Sequence, residues 1–248
     1  MSAGSARLHE LLCGARRVVA LTGAGISAES GVPTFRSAGG LWESAAIEEL
    51  ATPEGFARDP ARVWRWYDGR RRQIADCAPN AAHVALARYE REHPDFTLIT
   101  QNVDGLHRAA GSARILTLHG DIFRVRCMRE GTAREDRRVP LPEIPPRCAC
   151  GALLRPDVVW FGELLPAEAL DGALRASRRA EVFLSIGTSA LVQPAASLPG
   201  EARSLGAYLV EINTEETALT PEADEVIRGP AASILPALLG GSGDGGDP

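Results

Sequence analysis

The chain has 248 residues, 45% of them hydrophobic, with 27 basic and 32 acidic side chains and a formal net charge of −5. An acidic chain lacks the basic field that non-specific nucleic-acid binding needs, so no nucleic-acid partner is expected. A mean hydropathy of −0.08 and the lack of any apolar run near the ~20 residues of a membrane span or of a signal-peptide pattern give the expectation of a soluble, cytoplasmic protein without a membrane partner.

In chain order, residues 5–15 read as a helix and 17–21 as a buried strand, followed by a Gly-rich turn. Residues 31–42 hold Gly31, Pro33, Gly39 and Gly40 and read as loop. Helices are expected from Pro60 to Ile74, with proline at a tolerated first-turn position, and from Asn80 to Glu90, with Asn80 as N-cap. Short buried strands follow at 96–100 and 114–118. Residues 120–158 are rich in Arg and Pro, carry three cysteines and show no clear period, as a small inserted module would. Strands resume at 158–160, 182–186 and 207–212, with helical patterns at 166–177 and 194–204 and a last helix over 230–239. Strands alternating with helices imply an α/β fold, a doubly wound and mostly parallel sheet.

The strand at 96–100 runs into Gln101, Asn102 and Asp104, and the next strand ends at His119. Amide and carboxylate groups are costly to bury unpaired, and the carboxyl ends of strands are where open α/β sheets bind ligands. The first strand ends in Gly23-Ala24-Gly25-Ile26-Ser27-Ala28, which fits G-x-G-x-x-G/A, a turn that lets backbone approach a pyrophosphate. Glu43 sits at the spacing of the acidic residue that ends the second strand in dinucleotide folds, yet the Gly/Pro-rich 31–42 stretch interrupts any crossover helix. Residues 30–36 and 40–42 read as a lid over the ligand.

Seven segments in order resemble the sirtuin family of NAD-dependent protein deacylases: Gly23-Ala24-Gly25-Ile26-Ser27, Pro33-Thr34-Phe35-Arg36, Gly40-Leu41-Trp42, Thr100-Gln101-Asn102-Val103-Asp104, His119-Gly120, Val158-Val159-Trp160-Phe161-Gly162-Glu163 and Gly187-Thr188-Ser189. The resemblance runs from about Val18 to Leu239. It implies a Rossmann-like large part (about 1–33, 80–119 and 158–239) and a small part made of a helical insertion (34–79) and the Cys module (120–157); independently, the Gly/Asp composition of 240–248 reads as a disordered tail.

The resemblance implies that Gly23, Ala24, Gly25, Ile26, Ala28, Phe35, Arg36 and Trp42 hold the NAD diphosphate and cover its ribose. It implies that Gln101, Asn102, Val103 and Asp104 bind ribose and nicotinamide, and that Gly187, Thr188, Ser189, Asn213, Thr214, Glu215 and Ala231 contact the rest of the dinucleotide. His119 takes the place of the general base, with Asn102 beside it. The implied chemistry cleaves NAD: the acyl oxygen of a modified lysine attacks the ribose, nicotinamide leaves, and O-acyl-ADP-ribose and free lysine result. Acylated protein segments would pair along Val159, Trp160, Phe161, Gly162 and Glu163, and near 187–193.

Tyr67 and Arg70 are three residues apart in a helical pattern and share a face, where a hydroxyl and a bidentate cation suit a carboxylate. Arg70 also reads as a solvated member of an arginine run. A Tyr-x-x-Arg pair here resembles class III sirtuins, which remove succinyl and malonyl groups. No lysine occurs in the chain, so lysine acylation has no side chain of this protein to modify; the Arg-only composition itself fits a GC-rich coding bias.

Sirtuins carry four zinc cysteines in two pairs. Here Cys127 stands with Glu130 at the partner position, and Cys148 and Cys150 are two residues apart. Either zinc is held by three cysteines with Glu130 as fourth ligand, or the module is metal-free. Cys13 and Cys77 fall in helical patterns and are expected in the core. Two other readings remain at this stage: an NAD-dependent dehydrogenase, and a non-catalytic NAD or ADP-ribose binder. The sequence names no protein target and no oligomeric state.

Overall fold

The computed structural model describes residues 3–34 and 49–240, with side chains from residue 7 onward. Nine strands are described: β1 (Val18–Thr22), β2 (Thr97–Thr100), β3 (Ile115–Thr117), β4 (Gly120–Cys127), β5 (Ala133–Glu135), β6 (Leu154–Val158), β7 (Val182–Ile186), β8 (Tyr208–Asn213) and β9 (Glu225–Arg228). The helices are α1 (Ala3–Gly14), α2 (Pro53–Arg58), α3 (Pro60–Ala75), α4 (Ala81–Glu92), α5 (Leu106–Ala109), α6 (Ala167–Arg179), α7 (Leu198–Ser204) and α8 (Ala231–Leu239).

Six strands form one sheet in the order β3-β2-β1-β7-β8-β9, every pair parallel. Each face of this sheet is apolar and covered, as parallel sheets require. Along β1, Val18 and Ala20 pack with Leu8 and Leu12 of α1, Leu86 of α4 and Leu235 of α8. Val19 and Leu21 pack on the other side with Ala173 of α6 and Leu198 and Ala202 of α7. The chain leaves β3, runs outward, and re-enters beside β1 at β7, so the strand order reverses between β1 and β7. Open α/β sheets bind ligands at that crevice.

A second, three-stranded antiparallel sheet, β5-β4-β6, has its own apolar cluster with α2 and α3, built on Phe56, Trp64, Val125, Leu154 and Trp160. Asp59 caps α3 by accepting from the Arg62 N–H at 2.9 Å, and Asn80 caps α4 as the sequence predicts, with His83 completing a capping box.

Four expectations change. The 158–160 strand belongs instead to 154–158 and pairs antiparallel with β4, because Gly120 at φ +84 lets the two backbones close together. The 120–158 module has the period-2 burial of a sheet along the second half of β4, where Phe123, Val125 and Cys127 are buried and Arg124 and Arg126 alternate with them. The edge strand β9 carries no long apolar run and was not expected from sequence. Cys13 is exposed and Cys77 half-buried, so neither is a fully buried core residue. Among the described residues no helix is long and apolar enough to cross a membrane.

Candidate active site

The strand ends form a stepped ladder at the crevice. The N–H of Gln101 donates to Thr22 O, that of Gly23 to Ile186 O, that of Gly187 to Ile212 O, and that of Gly229 to Asn213 O, all at 2.9–3.0 Å. Two turns then meet face to face. A Cβ on Gly23 would lie 2.7 Å from Gly187 O, one on Gly25 would lie 2.7 Å from Gly187 Cα, and the Gly25 N–H donates to Gly187 O at 2.8 Å. Glycine is therefore required here for backbone contact between the β1 and β7 turns, whatever ligand sits above them.

Side chains of the predicted site converge on this seam. Gln101 Nε2 donates to Thr188 Oγ1 at 2.9 Å, and Asn213 Nδ2 donates to Thr188 O at 2.9 Å. Ser189 is half-buried beside them. Thr214 and Glu215 are exposed on the loop beyond Asn213. Buried Glu211 holds that loop, accepting from the hydroxyls of Thr217 and Thr220 and from Arg228. The side chains of Ile26 and Ala231 are buried in the core cluster, while Ala28 is exposed. Phe35, Arg36 and Trp42, with Glu43, lie outside the described residues.

A buried polar network fixes Asn102. Its amide Nδ2 donates to Gly23 O at 3.0 Å and to Ser27 Oγ at 3.3 Å, and its N–H donates to Thr100 Oγ1 at 3.1 Å. A carbonyl only accepts, so Nδ2 faces Gly23 and Oδ1 is left as the acceptor of the side chain. Ser27 in turn donates to Asp104 at 2.8 Å, and Asp104 also accepts from the Leu106 N–H at 2.9 Å. Asp104 is thus a strut under the loop: burial raises its pKa, and these two donors pull it back down. Val103 packs against the small-domain cluster, and its carbonyl accepts from the Ile122 N–H.

His83 and His107 join this network at ring centroids 4.8 Å apart. His83 Nδ1 accepts from the Asn80 N–H, leaving Nε2–H to face Ser27 Oγ at 3.4 Å. His107 Nε2 meets Thr22 Oγ1 at 2.9 Å, and the Thr22 hydroxyl donates to Thr100. Sequence reading missed Ser27, His83 and His107 as parts of one unit. Burial lowers the pKa of His83 to about 4 and that of His107 to about 3. Below the ordinary value of 6.5 the unfolded chain takes up two protons that the folded chain refuses, so stability falls as pH drops from 6.5 toward these lowered values. Urea unfolding at a series of pH values should show a loss on the order of 1 kcal/mol per pH unit for each histidine, absent when both are replaced by glutamine.

His119 follows β3 after Leu118 and is half-buried. Its Nδ1 lies 2.9 Å from Gln101 O. The carbonyl accepts, so Nδ1 carries the proton and Nε2 presents a lone pair. Burial lowers its pKa below the usual 6.5, and the Gln101 carbonyl opposes that shift. The ring is therefore a neutral base at working pH. The His119 backbone O accepts from the Val159 N–H at 2.9 Å, tying β3 to the Val159–Glu163 stretch.

That stretch is divided. Phe161 and Gly162 are exposed, with the Phe161 N–H on Ala51 O, whereas Trp160 is 3% exposed and Glu163 is turned inward on Arg155 at 2.5 and 2.8 Å. On α3, Tyr67 is buried and Arg70 half-buried with its guanidinium 5.1 Å over the Trp66 ring. Tyr67 raises, and burial lowers, the pKa of Arg70, with burial the larger effect.

In the small sheet, the ligand atoms of Cys127, Glu130, Cys148 and Cys150 lie within 4.8 Å of one another. Cys127 Sγ and Cys150 Sγ are 3.6 Å apart, close to the roughly 3.8 Å between sulfurs around tetrahedral zinc. The Glu130 N–H donates to Cys127 Sγ and pulls its pKa down, favouring the thiolate that a metal binds. The residues present fit a zinc ion with three thiolates and one carboxylate.

A family model described as the Sir2 family matches residues 23–194. The chain is 56% identical over 219 residues to an NAD-dependent protein deacylase of Aquifex aeolicus, covering 88% of this chain and 92% of that protein. It is 52% identical over 231 residues to NAD-dependent protein deacylase 2 of Pyrobaculum aerophilum, covering 93% and 92%. Its fold matches a crystal structure of a Sir2 homolog–NAD complex with TM-score 0.89 and 48% identity over 94% of this chain and 92% of that one. It also matches a Sir2 mutant holding a deacetylated p53 peptide and 3'-O-acetyl ADP-ribose, with TM-score 0.86 and 32% identity over 93% and 95% of the chains.

Proposed function

The chain belongs to the Sir2 family and is an NAD-dependent protein deacylase, and we propose that it takes succinyl- and malonyl-lysine as well as acetyl-lysine, with His119 as its general base. The observation that carries the catalytic part is the Nδ1–H of His119 on Gln101 O, which leaves Nε2 as the proton acceptor. Bound NAD supplies the ribose that accepts the acyl group and the nicotinamide that leaves. Asn102 offers Oδ1 as an acceptor to a ribose hydroxyl, its own amide N–H groups being directed at Gly23 and Ser27. Thr188, positioned by Gln101 and Asn213, lines the dinucleotide side of the seam. Gly23, Ala24, Gly25 and Gly187 bring backbone to the diphosphate, the role for which glycine turns at a strand–helix junction are suited.

The acyl preference rests on α3. Tyr67 and Arg70 present a hydroxyl and a planar cation on one face, a pairing that matches a carboxylate at the end of an acyl chain. A hydrogen bond to a charged group contributes roughly 1.5–3 kcal/mol, or about 10- to 100-fold in preference. Arg70→Met should lower kcat/KM on succinyl-lysine peptides by about that factor relative to acetyl-lysine peptides. Equal losses on the two peptides would show that Arg70 does not read the carboxylate. The partners are acyl-lysine segments of other proteins, docked along the exposed Phe161–Gly162 stretch and the half-buried Ser189.

A further inference from the structure

One buried hydrogen bond near the acyl pocket has no part in the scheme above. Trp160 Nε1 lies 3.0 Å from the hydroxyl of Tyr67. An indole N–H donates and cannot accept, so the Tyr67 oxygen is the acceptor and its own proton is turned elsewhere. The phenol pKa is raised by burial to about 12, so that proton stays on oxygen at any working pH.

Trp160 itself has little freedom. Its ring lies against Phe56, with centroids 5.2 Å apart, and the Arg155 guanidinium sits 3.5 Å from its centroid. Arg155 makes a bidentate pair with Glu163 at 2.5 and 2.8 Å and donates to Val158 O at 3.0 Å. Glu163 Oε2 also accepts the backbone N–H of Trp160 at 2.8 Å. A cation on the ring face, a bidentate ion pair behind it and a backbone bond together fix where the indole N–H points.

We propose that Trp160, clamped by Arg155 and Glu163, is a positioning residue for acyl selectivity: it commits Tyr67 to donate its hydroxyl proton to the carboxylate of a dicarboxylic acyl group, beside Arg70. This rests on the succinyl and malonyl reading given above. Without the indole donor the Tyr67 hydroxyl can rotate, and the acyl carboxylate loses a prealigned partner. Acetyl groups, which have no carboxylate, do not use that alignment.

The test is a cycle of kcat/KM measurements on acetyl- and succinyl-lysine peptides at saturating NAD, using the wild-type chain, Trp160→Phe, Tyr67→Phe and the double variant. Trp160→Phe should lower the succinyl-to-acetyl ratio roughly tenfold, and in the Tyr67→Phe background it should change the ratio no further. The inference is overturned if Trp160→Phe leaves the ratio unchanged while Tyr67→Phe lowers it, or if it lowers the ratio equally in both backgrounds, as general loosening would. Glu163→Gln keeps the indole and weakens its clamp; it should shift the ratio in the same direction by less. Should Trp160→Phe fail to fold by thermal melting, Glu163→Gln decides, and an unchanged ratio overturns the inference. If Tyr67→Phe and Arg70→Met both leave the ratio untouched, the acyl reading fails and takes this inference with it.

Discussion

Replacing His119 with alanine is expected to lower kcat by roughly 10²–10⁴-fold, the usual contribution of a positioned general base, while NAD affinity stays near the wild-type value. The separation follows from geometry. His119 is held just beyond β3 by the backbone of Gln101, whereas the seam that suits the dinucleotide is built from Gly23, Gly25, Gly187, Thr188 and Asn213 on other strands. Titration calorimetry with NAD and steady-state kinetics on the same preparation check both halves. The pH profile of the wild-type enzyme supplies a second reading. A base works deprotonated, so activity should fall as pH drops through its pKa. Burial holds that pKa below the usual 6.5, so the acid limb of kcat/KM should have its midpoint below 6.5 and vanish in the alanine variant. Near-normal turnover by His119→Ala would remove the histidine from the mechanism.

Removing a ligand of the cysteine cluster should have the largest effect on stability. The strands β4, β5 and β6 of the module are joined by segments that carry Gly131, Pro140, Pro142, Pro145, Pro146 and Gly151. Cys127 ends β4, Glu130 sits in the turn after it, and Cys148 and Cys150 lie just before β6, so one ion would tie three segments together. A ligand that binds only the folded state at about a thousandfold above its Kd adds about 4 kcal/mol. For a chain of this size each kcal/mol is worth about 2–4 °C. Cys127→Ser should therefore abolish zinc in metal analysis and lower Tm by about 8–16 °C. A wild-type preparation free of metal, with the same Tm as the variant, would show that the module folds without an ion.

Much of the site is legible in the residue order because strand ends are legible. An apolar run that stops at Gln101-Asn102 or at His119 marks where a parallel strand leaves the core, and the glycine turn marks where two such ends touch. Glu130 stands out only through the family resemblance, at the place of the cysteine that would partner Cys127. What sequence does not show are bonds between distant residues. Asn102 rests on Ser27, Ser27 on His83 and Asp104, and Tyr67 on Trp160; each pair is separated by a helix or more, so no local pattern signals it. The small sheet was hidden for another reason. Its strands carry arginines on the solvent side, paired with Asp157, and prolines between them, so a two-residue period is masked by composition.

The central claim is that the crevice cleaves NAD in step with removal of an acyl group. Incubating the protein with NAD and an acyl-lysine peptide, and following nicotinamide, free peptide and the ribose product by mass spectrometry, tests it most directly. Equimolar nicotinamide and free lysine peptide, with the acyl group now on ADP-ribose and no nicotinamide released when the peptide is unmodified, is the expected result. Formation of NADH, or an acyl peptide left intact while NAD is bound, would contradict it.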